Sequence, residues 1–305
     1  VLPRLDIVGG GEVLILELIK FLAKKKKYLI TIFSPDINQR TLKYLSKFNV
    51  IVKNLIVNNH TYGRYNIDIE QYNTQIDYND IYICNHIELS QLRLFPKILY
   101  AHEPLRLNTD NFDEDPFWNE EVFDKNFIIN SYIANSQIPV KYSIGVAANF
   151  LPQSVFTNSL KTKKNLTENT ILKNIKVLYP GVNKVRYKKI KKKTFDVLFL
   201  GSIAFHKRPN FFVSLAEANK DMNFHMVGRG PELDSFMLSP ELNESKNLKI
   251  YGDLSDNDLN KLWEKTDCLV NCSSNEPFGI NILEAATRGV PVITTKDAGV
   301  IEILK

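Results

Sequence analysis

The sequence predicts an α/β protein made of two doubly wound, parallel-sheet domains. Three observations carry this. Short β-branched and apolar runs alternate with helical stretches almost to the end of the chain. Several of those runs are apolar nearly throughout, as strands covered on both faces must be. A basic stretch without apolar periodicity, 183–194, interrupts the alternation, and a fresh strand follows it.

The expected strands are 28–33, 50–57, 81–85, 98–102, 132–135, 176–179, 197–201, 223–227, 248–251, 268–271 and 290–294. The helix expected between Gly11 and Ala23 puts Val13, Leu14, Leu18, Phe21 and Leu22 on one broad apolar face. The domains predicted are 1–182, a linker at 183–194, and 195–305. Folds of this kind bind ligands at the C-terminal ends of their strands, so the cleft between the domains is the expected site.

A chain of 305 residues has room for two domains with a buried core each. No apolar run reaches the roughly 18 residues of a membrane span. The start looks clipped, so the lack of a signal peptide says little. Cys84, Cys268 and Cys272 fit a reduced, cytoplasmic compartment. Cys268 and Cys272 flank an apolar strand rather than a zinc site, since no partner Cys or His pair follows.

The net charge of +5 owes much to Lys24–Lys27 and Lys188–Lys193. The first run suits a helix C-terminus, where cations favour the dipole, and the second a solvated linker. The competing reading is peripheral contact with an anionic membrane surface. Neither run sits in a recognisable nucleic-acid module, so no nucleic-acid partner is expected.

The chemistry concentrates at Cys272-Ser-Ser-Asn-Glu-Pro-Phe-Gly-Ile-Asn-Ile-Leu-Glu284. A strand ends, a polar loop turns at Pro277 and Gly279, and a helix begins near Ile280. The first turn of a helix offers unpaired amides and a positive dipole end, which together favour phosphate. Glu276 and Glu284 flank this cradle. Carboxylates are poor phosphate ligands but good acceptors for sugar hydroxyls.

These residues resemble the Glu-x7-Glu signature of the retaining glycosyltransferases of family 4 (glycosyl transferases group 1, GT-B fold). The flanking Phe278-Gly279, the later Arg288-Gly-Val-Pro-Val-Ile-Thr-Thr295 and Gly299–Glu302 extend the resemblance. It implies that Glu276 contacts the donor sugar, Glu284 holds the ribose, and the backbone of Phe278, Gly279 and Ile280 binds the diphosphate. Leu200-Gly-Ser-Ile-Ala-Phe-His-Lys207 resembles the family's first donor-domain loop, where an Arg and a Lys neutralise the diphosphate. Lys207 matches the Lys. Ser202 stands where the Arg is expected, with Arg208 or Arg229 as its replacement or Ser202 itself as a hydrogen-bond donor. Gly228-Arg-Gly-Pro-Glu232 resembles the glycine-rich turn after the second strand, though Gly-x-Gly alone is more often a plain turn. Tyr251-Gly-Asp-Leu-Ser-Asp256 resembles the nucleobase-side loop and puts Leu254 near the base.

Gly9-Gly10-Gly11-Glu12 resembles the family's Gly-Gly-Ala-Glu loop, which implies that Gly10 and Gly11 approach the donor phosphate. Plain helix-entry glycines are the alternative. Tyr100-Ala-His-Glu-Pro-Leu-Arg106 follows a strand end, and its resemblance implies a catalytic His102 beside the sugar. His-x-Pro-x-Arg occurs in mannosyltransferase-like members. Glu103 and Arg106 are expected on the acceptor side or as loop anchors. Ile133–Ser136 and Tyr179–Val182 also match the family, in an architectural role. Asp113-Glu-Asp115 has the letters of a metal motif but lacks a preceding apolar strand. Asp256-Asn-Asp258 reads as a helix start with an Asp cap. No metal is expected.

The resemblance implies transfer of a sugar, mannose among the candidates, from a nucleoside diphosphate sugar to a glycan or lipid-linked acceptor. The donor is then a substrate and no cofactor is needed. A sugar-nucleotide epimerase, a phosphorylase, or a binding homologue impaired by Ser202 are the rival readings. The second domain looks shorter than in the family, which leaves an edge of its sheet exposed.

Overall fold

The computed structural model describes residues 10–34, 37, 39–54, 57–61, 64–67, 81–84, 97–101, 154–169, 174–183, 185, 190, 192–230 and 232–304. The chain divides into two compact units, the first chiefly Ile15–Tyr179 and the second chiefly Pro180–Lys305.

In the first unit, which takes α1 (Gly10–Lys25) from Ile15 onward, α1 leads into β1 (Ile30–Ser34), and α2 (Gln39–Leu45) into β2 (Val50–Asn54). The two strands pair in parallel, Ile30 opposite Val50. Ile15, Ile19, Ile32 and Leu45 form the buried core between them. This corrects the expected helix face. Leu-Ile-Leu-Glu-Leu-Ile is apolar nearly all round, so packing chooses the stripe, and Ile15 and Ile19 turn inward four residues apart. Phe21 instead stands 56% exposed.

A hairpin of β3 (Val57–Thr61) and β4 (Arg64–Ile67) follows. It was not expected, because Val-Asn-Asn-His-Thr lacks an apolar alternation. A four-stranded parallel sheet then runs in the order β5 (Tyr82–Cys84), β6 (Lys97–Ala101), β7 (Ser154–Thr157), β8 (Lys176–Val177). Strand β7 was also not anticipated. Its four residues, Ser-Val-Phe-Thr, are too short for a pattern, and Asn158, Ser159 and Thr162 stop it in a buried hydroxyl–amide cluster that starts α3 (Leu160–Asn169). The strand expected at 132–135 lies outside the described residues, as do Ile133–Ser136 and Asp113–Asp115.

The second unit is a five-stranded parallel sheet in the order β11 (Leu248–Ile250), β10 (Asn223–Val227), β9 (Asp196–Leu200), β12 (Cys268–Asn271), β13 (Val292–Thr294). The first strand is central and the chain winds outward on both sides. Side chains alternate between faces along each strand. Val197, Phe199, Phe224, Met226, Cys268 and Val270 pack on one face against Phe212, Val213 and Ala216 of α4 (Pro209–Ala218). Leu198 and Leu269 pack on the other against Leu262 and Trp263 of α7 (Asp256–Lys265) and Ile282 and Ala285 of α8 (Ile280–Thr287). Between α4 and α7 run the short helices α5 (Leu233–Leu238) and α6 (Pro240–Asn243). β13 is an edge strand, with Ile293 exposed.

The glycines at 228 and 230 are set by backbone proximity. A Cβ on Gly228 would lie 1.7 Å from the Gly201 carbonyl oxygen, and one on Gly230 2.1 Å from that of Ile203. The two loops are laced by amides of Gly201 to Val227 O, Ile203 to Arg229 O and Glu232 to Ile203 O. The Gly-x-Gly motif therefore seats the loop after β10 against the loop after β9.

One polar network was missed. Asp196, the first residue of β9, accepts from Lys192 and from His225 Nε2 at 2.6 Å. Lys192 also meets Asp267 at 2.8 Å, and His225 Nδ1 lies 2.9 Å from the Tyr251 hydroxyl. A carboxylate can only accept, so Nε2 carries the proton and Nδ1 accepts from Tyr251. Lys192 is thus mostly buried and paired, where a solvated linker was expected. Burial lowers the His225 pKa, and Asp196 only partly offsets it. Burial alone would raise Asp196, but Lys192 and His225 hold it low.

Two predictions follow from these contacts. Gly228→Ala should destabilise by on the order of 3 kcal/mol, read by thermal melting, because backbone and not a flexible side chain blocks the new methyl. The unfolded chain takes up a proton on His225 before the folded one does. Stability is therefore held above the ordinary histidine value of about 6.5 and lost as pH falls from there toward the depressed folded value. His225→Gln should flatten that part of the melting-temperature profile, whereas the Asp196 contribution is lost only below about pH 4.

Candidate active site around Glu276

In the β11-β10-β9-β12-β13 order, winding reverses between β9 and β12. Loops leaving the carboxyl ends of such neighbours diverge and open a crevice. The two loops that leave there are 201–208 and 272–279, the two that sequence motifs single out.

Glu276 is buried, 7% exposed, inside the second loop. Its Oε2 receives Lys207 Nζ at 2.7 Å, Ser273 Oγ at 3.0 Å and Asn271 Nδ2 at 3.3 Å. Burial pushes the carboxyl pKa up, but the Lys207 charge and these hydrogen bonds outweigh it and hold Glu276 below its ordinary value. Among the described residues, Oε1 has no hydrogen-bond partner. Lys207 reaches Glu276 from the 3₁₀ turn Phe205–Lys207, which the His206 carbonyl ties to the Ser274 amide at 3.1 Å.

The loop is braced from behind. Gly299 donates to Glu276 O, and Val300 to Phe278 O at 2.8 Å. Thr295 Oγ1 donates to Ser273 O. Phe278 buries its ring in the core, so only its backbone borders the crevice. Gly279 caps α8 at φ 96°, and a Cβ there would meet Ile282 Cδ1 at 2.8 Å, which explains glycine at this turn. At the α8 mouth Asn281 Oδ1 accepts the Ile282 amide, and Asn281 Nδ2 donates to Leu200 O at 2.6 Å. One of the amides expected to be open is therefore capped. The amides of Ile280 and Asn281 remain without a helical acceptor.

Glu284 sits one turn into α8, half-buried. Burial raises its pKa, and Arg288 offsets part of that. Its carboxylate has no hydrogen-bond partner among the described residues. Ser202 is half-buried directly after β9. Arg208 holds a left-handed conformation at φ 50° and lays its guanidinium over the Phe211 ring at 5.6 Å. Arg229 pairs with Asp253 at 2.9 Å in solvent. Both candidates to replace the expected Arg are thus engaged elsewhere in this structure. Leu254 packs on the α7–α8 side of the core.

Gly10 and Gly11 open α1. His102, Glu103 and Arg106 lie outside the described residues. Ser255, not Asp256, caps α7: its side chain accepts the Asp258 amide, leaving both aspartates in the first turn. Burial pushes the Cys272 thiol up to about 11 despite Arg208, so it is no thiolate nucleophile. Asn271, Ser273 and Asn281 are site residues that sequence reasoning missed. The signal available was an Asn ending a fully apolar strand, with Ser three positions before the Glu.

Lys207→Met leaves a buried carboxylate facing no cation and should cost about 3 kcal/mol. Glu276→Gln in the same chain should restore a large part, because Gln needs no counter-charge. A double-mutant cycle by denaturant unfolding reads this coupling.

Residues 183–305 match the family described as glycosyl transferases group 1. The 2-deoxystreptamine N-acetyl-D-glucosaminyltransferase of Niallia circulans is 32% identical over 129 residues, 41% of this chain and 33% of that protein. The chain thus spans about a third of the length of this curated relative. Two solved structures cover 100% of the chain at a TM-score of 0.71. They are WaaG, a glycosyltransferase involved in lipopolysaccharide biosynthesis, at 14% identity and 83% of its chain, and Anabaena HepE in complex with UDP-glucose, at 17% and 82%. At such identities they speak for fold alone. The chain has the GT-B fold of these glycosyltransferases, and its residues 183–305 match the glycosyl transferases group 1 family.

Proposed function

We propose that the protein is a retaining glycosyltransferase that moves a hexose from a nucleoside diphosphate sugar to a glycan or lipid-linked acceptor. The observation that carries this is the one-sided bonding of Glu276. All three donors meet Oε2, and Oε1 is left for a hydroxyl of the donor sugar. Among the described residues the half-buried Glu284 carboxylate likewise lacks donors, which ribose hydroxyls would supply. HepE, of the same fold, was solved with UDP-glucose.

The chemistry follows from charge. The bond between the anomeric carbon and the diphosphate oxygen breaks, and the diphosphate leaves as an anion. The Lys207 ammonium and the Ile280 and Asn281 amides stabilise that anion. The acceptor oxygen bonds to the same face of the anomeric carbon, and its proton passes to the departing diphosphate. Glu276 orients the sugar and steadies positive charge on its carbon. Cations of the protein replace a metal in this scheme. Donor arrival exchanges partners: Lys207 turns from Glu276 to phosphate, and Glu276 from Lys207 to sugar. Mannose is a candidate hexose from the His102-x-Pro-x-Arg106 pattern, with His102 beside the reacting carbon. Free thiols at Cys268 and Cys272 support a cytoplasmic setting.

A thermal-shift panel of nucleoside diphosphate sugars should show selective stabilisation by one donor. With that donor and a labelled acceptor pool, Glu276→Gln should cut transfer roughly hundredfold while the fold persists. Lys207→Ala should weaken donor and free nucleoside diphosphate alike, by about tenfold or more. Unchanged turnover in Glu276→Gln would sink the assignment, and an inverted anomeric centre in the product would remove the retaining part alone.

A further inference from the structure

We propose that one end of the first unit's β1–β2 layer is a docking surface for an anionic lipid bilayer. A helix that leads through a short turn into a strand runs antiparallel to it, so its C-terminus lies at that strand's start. α1 does this with β1, α2 does it with β2, and the strands are parallel. Both helix C-termini and both strand starts therefore share one end of the layer.

That end is basic and apolar together. Lys24, Lys25, Lys26, Lys27, Lys43 and Lys47 are all exposed there. Phe21, Tyr28 and Leu29 stand beside them at 56%, 58% and 76% exposure. Lys25 lies 5.0 Å over the Phe21 ring and Lys47 5.9 Å over the Tyr44 ring, so the cations and rings are interleaved. Between Ile19 and Asn54 the sole acidic residue is Asp36, which comes after β1 has ended.

The helix dipole accounts for only part of this. Lys24 and Lys25 fill the last turn of α1, but Lys26 and Lys27 come after it, and a dipole gives no reason to expose Leu29. A bilayer interface satisfies both halves. Flexible ammonium groups meet a diffuse anionic surface, while aromatic and aliphatic side chains sink to the headgroup boundary. Flexible lysines suit such a diffuse surface better than a precise phosphate contact. Leu29, the most exposed of the three, has no ring to stack on a nucleobase.

The surface and the donor site share no residue, so vesicle binding and nucleotide-sugar binding hold or fail separately. The test is co-sedimentation of the whole chain with phosphatidylcholine vesicles, with and without phosphatidylserine. Binding to the anionic vesicles only, weakening as salt rises, is the expected result. Lys26→Glu with Lys27→Glu, both beyond the helix, should lower vesicle affinity at least about tenfold. Leu29→Ser should lower it while leaving the salt dependence in place. Melting temperature and donor-induced thermal shift should stay at the parent's values in all of these variants. Equal binding to both vesicle types, no binding to either, or full affinity in the double charge reversal overturns the proposal. Binding to polyuridine RNA with none to anionic vesicles overturns it too, and makes a nucleic acid the partner.

Discussion

A carboxylate buried to 7% exposure cannot stay ionised without compensation, and the arrangement of the second unit's active end answers that constraint at Glu276. Its cation comes from the loop after β9, 69 residues away in sequence. Its neutral donors, Asn271 and Ser273, come from the end of β12 and the loop that follows. The pair can form only if β9 and β12 are neighbours and their loops face each other. A parallel sheet that starts in its centre delivers that geometry, because the chain must cross over to reach the second side.

The same demand explains the tight backbone contacts around the crevice. The loop carrying Lys207 is fixed below by the Gly228–Gly230 turn, which approaches so closely that no side chain fits between them. It is fixed in front by the His206 carbonyl, which takes both the amide and the hydroxyl of Ser274. The loop carrying Glu276 is held from behind by Gly299 and Val300. Asn281 ties α8 to the end of β9. Preorganisation of this kind costs nothing at the moment of reaction, which is what electrostatic catalysis requires.

Most of the second unit was legible in the sequence because its strands are apolar on both faces. Strands β10 and β12 have the expected ends, and β9 starts one residue earlier at Asp196. The strand–loop–helix turn that carries Glu276, Gly279 and Glu284 was legible because it is local. What the sequence hid was non-local. Asn271 and Ser273 become site residues only when the crevice folds around Glu276. Lys192 looked solvated within a basic run, yet two aspartates from separate strand starts enclose it. In the first unit β3, β4 and β7 lacked apolar alternation, and the buried face of α1 was ambiguous because leucine and isoleucine occupy nearly every side of it. The residues from the family resemblance on that side, His102, Glu103 and Arg106, fall outside the described structure.

The second sheet carries two buried carboxylates, and comparing them separates structure from function. Asp196 uses both oxygens: Oδ1 faces His225, and Oδ2 faces Lys192 and Asn223. Nothing is left over, and its partners tie the start of β9 to β10 and to Lys192. Glu276 is as deeply buried, but its donors crowd one oxygen, and its cation sits at a crevice where a phosphate would compete for it. A fully satisfied buried charge is a fastener, since any ligand would have to break more than it makes. A half-satisfied one beside an exchangeable cation is a poised binding group. A ligand that brings an anion to Lys207 and a sugar hydroxyl to Glu276 repays the loss of the pair twice, whereas a nucleoside diphosphate without its sugar repays only Lys207 and a free sugar only Glu276. The distinction therefore supports the proposed sugar-nucleotide donor at this end of the sheet.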